Sequence, residues 1–588
     1  FRTLDFKFVM QLTPISRNRA LLEQWRSTLN NEVLQSPCTK VPIPEETVLE
    51  RILRSLSDHS SKHPEQLAVI EASNNDRKLT HKQIRDRALS FAAFLKSRGF
   101  TVGDRLSAAL PNSIEWPVLH LGTWAAGGVV VGSSAAYKLY ETLYQLRDSA
   151  SAVVVVAEDL LEMFMEAARE CPSLKLIICV RSSSKPLPEG VVDFEDTIQM
   201  PPLKEVAPVT LDTVCMIYYS SGTTGQPKGI INTYRTFHCA IELIRSHWTH
   251  EIYPVLGVPE VDWYKERQII NSPCYHILGF TLMNLYLITG SPMVLVRAFD
   301  VYLEAIEKFR PRYLTVVPSI FAYLAKDPEG KKADLSSVQM VICGTAPLGR
   351  ALGEEFLLAH PSVKYVVQGF GMTEIGYSHV PLLLEEGVNA SCGVVASYFE
   401  QKIVDVVTGR PCRQGQRGEL WVRGAAQTIG YLNQPVATRE LIDEEGWVHT
   451  GDVGFIDERG LLYIVDRLKE LIKVYYKNQT VSVPPAELEG LLLADSRIRD
   501  AAIIGIPQGE KGELVRAYIV RADNGLTKGA VEGLVSDNHA EFKKITGGVA
   551  FVDAIPRSST GKILRRVLRE ELTRRNNSIS TRSESRMR

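Results

Sequence analysis

The 588-residue sequence predicts an α/β fold: a large N-terminal domain of mixed, largely parallel sheets with helices, followed by a small α+β C-terminal domain. Three observations predict it. Strand-like apolar runs alternate with helical patterns through most of the chain, the order that builds parallel sheets with helical crossovers. The chain is longer than one hydrophobic core serves. Around Gly451 the pattern changes, and after Leu462–Arg467 a shorter series begins with its own helix and strands.

Residues 1–45 are proline-punctuated and are read as an irregular surface arm. Val48, Leu49, Ile52, Leu53 and Leu56 recur at helical spacing. Residues 67–70 read as a strand. Thr80 and Gln83 form a capping box ahead of Ile84, Ala88, Phe91 and Leu95, and Gly99 closes that helix. Strand-like runs recur at 106–110, 129–131, 153–156 and 176–180. Residues 182–208, rich in Pro, Ser and charge, read as a surface connection, and residues 119–136 as packed interior. Further strands fit 269–270, 294–296, 314–317, 340–342, 365–367 and 418–424. The smaller unit has a helix starting near Ala486 and strands at 501–506, 518–520 and 549–552. It ends in a helix whose apolar face carries Ile563, Leu564, Val567, Leu568 and Leu572. Residues 576–588 are polar and basic and are expected to be disordered. The expected division is an arm over 1–45, a large domain over 46–466, a small domain over 467–575 and a tail over 576–588.

The formal net charge of −1 gives no case for nucleic acid. Nine cysteines without a C-x-x-C pair read as reduced core residues, not as a disulfide or zinc framework. No run of about 18 apolar residues suggests a spanning helix.

The chemistry concentrates in a few stretches. After the apolar run Val214-Cys215-Met216-Ile217 comes Tyr218-Tyr219-Ser220-Ser221-Gly222-Thr223-Thr224-Gly225-Gln226-Pro227-Lys228-Gly229. Hydroxyls, glycines and a lysine without a carboxylate suit phosphate: glycines admit phosphate oxygens to backbone N–H groups, and lysine adds a charge. It is not a Walker A loop. Gln368-Gly369-Phe370-Gly371-Met372-Thr373-Glu374 offers a ring to stack on, a hydroxyl donor and a carboxylate for Mg²⁺, a set that fits a nucleotide. Asp452, beside Gly451, fits a carboxylate holding ribose hydroxyls, though alone it is an ordinary turn aspartate. Lys562, ahead of the last helix, and His276, among Tyr275, Ile277 and Leu278, would each be unremarkable in isolation.

Together these stretches closely resemble the signatures of the adenylate-forming enzymes, which include acyl-CoA synthetases, 4-coumarate–CoA ligases and beetle luciferases. The match runs over roughly residues 45–572. The resemblance implies ATP, Mg²⁺ and CoA as cofactors and a small carboxylic acid as substrate. It implies a phosphate loop of Ser220, Ser221, Gly222, Thr223, Thr224, Gly225 and Lys228. Gly344-Thr345-Ala346-Pro347 would cover one adenine face and Phe370, where the family has tyrosine, the other; Gln368 and Gly369 belong to that nucleotide motif. Thr373 would meet the α-phosphate and Glu374 the metal. Asp452 and Arg467 would hold the ribose, and Asp466 would be the hinge of a mobile small domain. The run Phe551 to Arg566 resembles the C-terminal signature, in which Lys562 stabilises charge developing at the α-phosphate. Lys473 would replace it for thioester formation, and His276 would line the acid site.

Two departures concern CoA. Val474 to Pro485 run longer than the family's short Lys-Gly turn by about four residues and hold no glycine, and Tyr475, Tyr476 and Val483 are bulky there. Ala298 stands where some relatives have a CoA-contacting lysine. The reading is therefore an acid–thiol ligase, with a luciferase-type or CoA-transfer-deficient adenylate former as the alternative. In plant 4-coumarate–CoA ligases polar residues hold the phenol at positions matching Leu278 and Leu282, so an aliphatic, fatty acid is expected in a pocket of His276, Leu278, Leu282 and Gly344. The expected compartment is the cytoplasm, with the peroxisome as alternative: Ser585-Arg586-Met587 resembles a peroxisomal address that Arg588 would mask.

Overall fold

A computed structural model describes residues 13–26, 32–72, 77–220, 227–297, 301–344, 348–477, 479–508, 512–558 and 561–572. The alternation of strands and helices yields an eight-stranded sheet. Its strands run parallel from Val191–Asp193 through Leu176–Val180, Val153–Ala157, Arg105–Ala109 and Val129–Gly132 to Val214–Ser220. Lys228–Thr233 and Gly430–Tyr431 then close that edge in antiparallel fashion. A parallel sheet of Tyr313–Val316, Met340–Cys343, Tyr365–Gln368 and Gly387–Val388 lies in the same large unit. Another sheet joins Gln268–Ile270, Met293–Val296 and Leu67–Ala72 in parallel, with Lys78–Thr80 antiparallel at its edge.

Five helices matter below: α1 (Pro14–Arg26), α2 (Ile277–Thr289), α3 (Pro318–Lys326), α4 (Pro485–Leu493) and α5 (565–572). Helix α2 is apolar all round because it is buried all round. Its Phe280 meets Trp124, Phe237 and Tyr218, with ring centroids 5.8, 5.4 and 5.2 Å away. That cluster ties the start of α2 to strand Val214–Ser220, which ends at the glycine-rich segment.

Two expectations are corrected. The described part of the N-terminal stretch is not all irregular: α1 docks through buried Leu22 and Trp25, Asn18 Nδ2 donates to the Leu383 carbonyl at 3.1 Å, and Leu34–Gln35 pairs with Phe399–Val404. The stretch 182–208 is not only a connection, since Val191–Asp193 is the edge strand of the large sheet.

The five-stranded antiparallel sheet ends on Val448–Ile456 and Leu462–Arg467. Beyond it lies the small unit. Ile498–Pro507, Glu513–Arg521 and Val549–Phe551 form its sheet, α4 packs on Ile498–Pro507, and Leu488, Leu492, Ile503, Val515 and Ile519 are buried in a core of its own. Ile472–Tyr476 and Gln479–Val483 form a β-hairpin in which Tyr476 pairs with Gln479 and Lys477 takes φ +46°. The long segment after Lys473 is this hairpin.

Candidate active site

His276 caps α2: its Nδ1 accepts from the Leu278 N–H at 3.4 Å. The loop before it is pinned by Asn112, whose Nδ2 donates to the Ser272 carbonyl at 3.1 Å and whose Oδ1 accepts from the Cys274 N–H at 2.8 Å. A Cβ on Gly279 would lie 2.4 Å from the Pro273 carbonyl, so only glycine lets α2 sit on this loop. Burial lowers the His276 pKa to about 4, helped by the Lys562 charge, so the imidazole is neutral near pH 7. Leu278 and Leu282 follow one turn apart on α2, and Leu282 is buried.

Gln368 ends its strand with its amide committed to backbone. Oε1 accepts from the Leu348 N–H at 2.6 Å and Nε2 donates to the Ala390 carbonyl at 2.8 Å. Its side chain is therefore a brace for the loops around the motif. Gly369 leads into Phe370–Met372, and the Phe370 ring lies edge-on to His379 at 5.6 Å. The Gly344 N–H donates to the Val316 carbonyl at 3.1 Å, and no described residue beyond its chain neighbours lies within 4 Å of where its Cβ would be. Thr373 and Glu374 are buried. Glu374 Oε1 accepts from the Tyr431 hydroxyl at 2.9 Å, and Lys228 Nζ stands 4.7 Å from the centre of the Tyr431 ring. Tyr431 thus joins the lysine after the glycine-rich segment to the carboxylate of the second motif. The sequence gives no sign of this role.

Asp452 and Arg467 are paired across neighbouring strands, and Arg467 Nε donates to Asp452 Oδ1 at 3.1 Å. Asp452 Oδ2 is buried and has no partner among the described residues. Burial raises the Asp452 pKa, while Arg467 and then Lys562 oppose it. A buried acceptor held by an arginine and lacking a donor fits ribose hydroxyls, so these residues fit ATP. Among the described residues no group of three or more His, Cys, Asp or Glu side chains could hold a metal. Glu374 alone would fit Mg²⁺ in its usual manner, one carboxylate with nucleotide phosphates completing the shell.

Lys562 is held in the small unit through its described neighbours. The Ser558 N–H donates to the Lys562 carbonyl at 2.8 Å, and Arg557 holds Asp500 at 2.8 Å and the Gly561 carbonyl at 2.7 Å. Gly561 has φ +79°, and a Cβ there would come 3.1 Å from Val317 of the large unit. Lys562 lies within electrostatic reach of Arg467, Glu470, Asp452 and Glu374. Burial first, then Arg467, lowers its pKa to about 8, against the pull of the three carboxylates. Charged Lys562 is therefore lost as pH rises through about 8. If its charge drives adenylation, kcat/KM for that step, which reports the free enzyme, falls along the same limb. Lys562→Arg, charged throughout, should flatten it; an unchanged alkaline limb in that variant would count against the assignment.

The structure gathers His276, Glu374, Asp452, Arg467 and Lys562. Lys473 is not among them: it is exposed on the hairpin, with Nζ donating to Ser482 Oγ at 2.8 Å. Asp466 is buried between the units. It accepts from the Ala486 N–H at 2.9 Å, and burial raises its pKa to about 6. Ser220 ends its strand opposite Lys228. Ser221, Gly222, Thr223, Thr224 and Gly225, together with Thr345, Ala346 and Ala298, lie outside the described residues, as does the tail.

Residues 56–432 match the family described as AMP-binding enzyme, and residues 487–562 match its C-terminal domain. The chain belongs to the AMP-binding enzyme family. It is 34% identical over 533 residues to 4-coumarate–CoA ligase 1 of Petroselinum crispum, covering 88% of this chain and 93% of the relative. It is 32% identical over 553 residues to peroxisomal OPC-8:0-CoA ligase 1 of Arabidopsis thaliana, covering 92% of this chain and 96% of that one. The fold matches ATP-bound MatB from Rhodopseudomonas palustris with a TM-score of 0.76 at 26% identity, over 90% of this chain and 99% of that chain. This AMP-binding enzyme is an adenylate-forming acid–CoA ligase of the 4-coumarate–CoA ligase type. Among the described residues no helix is long and apolar enough to cross a membrane.

Proposed function

We propose that the enzyme activates a carboxylic acid with ATP and transfers it to CoA, with the residues above in the following roles. In the first step a carboxylate oxygen attacks the α-phosphorus and pyrophosphate leaves. Lys562 stabilises the charge developing there. Asp452 and Arg467 hold the ribose, Phe370 and the Gly344 segment flank adenine, and Ser220 to Lys228 hold the phosphates. Glu374 would hold Mg²⁺, which when bound neutralises phosphate charge. Neutral His276 borders the acid. In the second step the small domain turns about Asp466, Lys562 withdraws, Lys473 enters, and the CoA sulfur attacks the acyl carbonyl with AMP leaving. The observation that carries this reading is that Lys562, from the small unit, lies within electrostatic reach of Asp452, Arg467, Glu374 and His276. The CoA ligase names of both plant relatives support the second step. The compartment proposed is the cytoplasm; the peroxisome is the alternative that the Arabidopsis relative's name raises.

The acid proposed is a medium or long aliphatic one. Leu278 and Leu282 offer no hydrogen-bond partner, so a buried phenol would forfeit about 1–3 kcal/mol. An alkyl chain gains about 0.8 kcal/mol per buried CH₂. A preference of at least roughly tenfold in specificity constant over 4-coumarate is expected, which needs only about 1.4 kcal/mol. ATP–pyrophosphate exchange across a panel of fatty and hydroxycinnamic acids measures it, and equal or better turnover of 4-coumarate would overturn the pocket argument.

A second reading, an adenylate former deficient in CoA transfer, is favoured by the hairpin. By the family resemblance pantetheine would pass near the segment after Lys473, which here is the hairpin of Ile472–Tyr476 and Gln479–Val483, with Tyr475 50% exposed. Accumulation of acyl-AMP without thioester in the presence of CoA would establish it.

A further inference from the structure

Helix α3 of the large unit touches the small unit at both of its ends. At its start, Val317 and Ser319 lie against Gly561, where a Cβ would come within 3.1 and 3.3 Å of their side chains. Gly561 directly precedes Lys562. At its end, Lys326 Nζ donates to the carbonyl of Leu493, to that of Ile498 at 2.9 Å and to that of Asp495 at 3.3 Å. An ammonium has three protons, and three acceptors meet it. Leu493 is the last residue of α4, so the charge also lies at the negative end of that helix's dipole. The Asp495 carboxylate is taken by Arg497 at 2.7 Å, which leaves backbone oxygens to hold the lysine. Carbonyls fixed by a helix end and the strand after it cannot follow a moving partner as a side chain can. The contact therefore exists only in one placement of the two units.

We propose that Lys326 is a positioning residue: it latches α4 onto α3 and so fixes the small unit where Lys562 faces Asp452, Arg467 and Glu374. This rests on the two-step reading above. With the other end of α3 seated under Gly561, the helix acts as a ruler between the latch and the catalytic turn. When the unit turns for thioester formation, the three hydrogen bonds break together. The latch then favours adenylation over CoA transfer without touching either substrate.

Lys326→Met keeps the aliphatic stem and removes the donors; Lys326→Arg keeps charge and donors. In the methionine variant ATP–pyrophosphate exchange should fall about tenfold, the shift that losing ~1.4 kcal/mol of contact produces. Thioester formation from supplied acyl-adenylate and CoA should be unchanged or faster, and the arginine variant should keep most of the exchange rate. Hydrogen exchange should quicken at the end of α4 and around Lys562 in the methionine variant. Equal loss in both half-reactions, no loss in either, or unchanged hydrogen exchange would each overturn the proposal. A wild-type enzyme that adenylates no acid would instead overturn the functional reading, and hydrogen exchange would still decide the latch.

Discussion

Replacing Lys562 by alanine is expected to slow acyl-adenylate formation by about two to three orders of magnitude, the usual loss when one preorganised partner of transition-state charge is removed. The site explains why so much rests on one residue. Lys562 is half-buried; desolvation and then Arg467 lower its pKa, and Glu470, Asp452 and Glu374 oppose them. Such a cation is poorly solvated before reaction and gains most when negative charge grows at the α-phosphate. The loss should therefore appear in kcat for pyrophosphate exchange, while binding of ATP, which the proposal assigns to Asp452 and Arg467 on their paired strands, changes little. Lys562→Arg should recover part of the rate, because charge returns but a planar fork replaces a compact ammonium. Exchange in Lys562→Ala within a few-fold of wild type would remove the lysine from the role.

What could be read from the sequence was what depends on neighbours in the chain. The capping box of Thr80 and Gln83 forms with both hydrogen bonds, at 2.9 and 3.3 Å, because the spacing alone brings the groups together. Five strands of the large sheet, Arg105–Ala109, Val129–Gly132, Val153–Ala157, Leu176–Val180 and Val214–Ser220, followed from apolar runs, whereas Val191–Asp193, Lys228–Thr233 and Gly430–Tyr431 did not. The motif around Glu374 was legible from its residue set beside the phosphate loop, whereas the roles of Asp452 and Lys562 came from resemblance, since each is an ordinary turn residue in isolation. Helix α1 was missed because its stability comes from contacts such as Asn18 to Leu383, which no local pattern announces. The hairpin after Lys473 was seen as an unusual length but not as a hairpin: the turn carries no glycine, and Lys477 itself takes the left-handed conformation. Tyr431 and Arg565 escaped for the same reason as α1, because their partners are remote in sequence.

Arg565→Ala is expected to destabilise the small unit by about 3–5 kcal/mol, the range for stranding one member of a buried ion pair. Arg565 is 9% exposed and Glu489 8%. Arg565 Nη2 donates to both carboxylate oxygens of Glu489, at 2.7 and 2.8 Å; Nη1 meets Glu470 at 3.1 Å, and Nε donates to the Ile503 carbonyl at 3.1 Å. One side chain thus ties α5, which follows Lys562, to α4 and to the segment after Asp466. Burial raises the Glu489 pKa to about 7, and Arg565 is the main influence pulling it back. Without Arg565 that pKa rises further. A carboxyl whose folded pKa lies above its unfolded value stabilises most at low pH and loses that contribution as pH rises through the folded pKa. Wild type completes this loss near pH 7 and the variant only at higher pH, where its stranded carboxyl must ionise or stay protonated against solvent. The gap in stability between the two proteins should therefore be nearly constant below about pH 7 and widen above it. Denaturant titrations at pH 6 and pH 8.5 measure the gap. Adding Glu489→Gln to Arg565→Ala should narrow it at pH 8.5, because the amide still accepts from the Ile503 N–H, now 2.8 Å from Glu489, without leaving a charge behind. A gap that is small at both pH values, or that the glutamine leaves unchanged, would show that the pair is not what holds α5 in place.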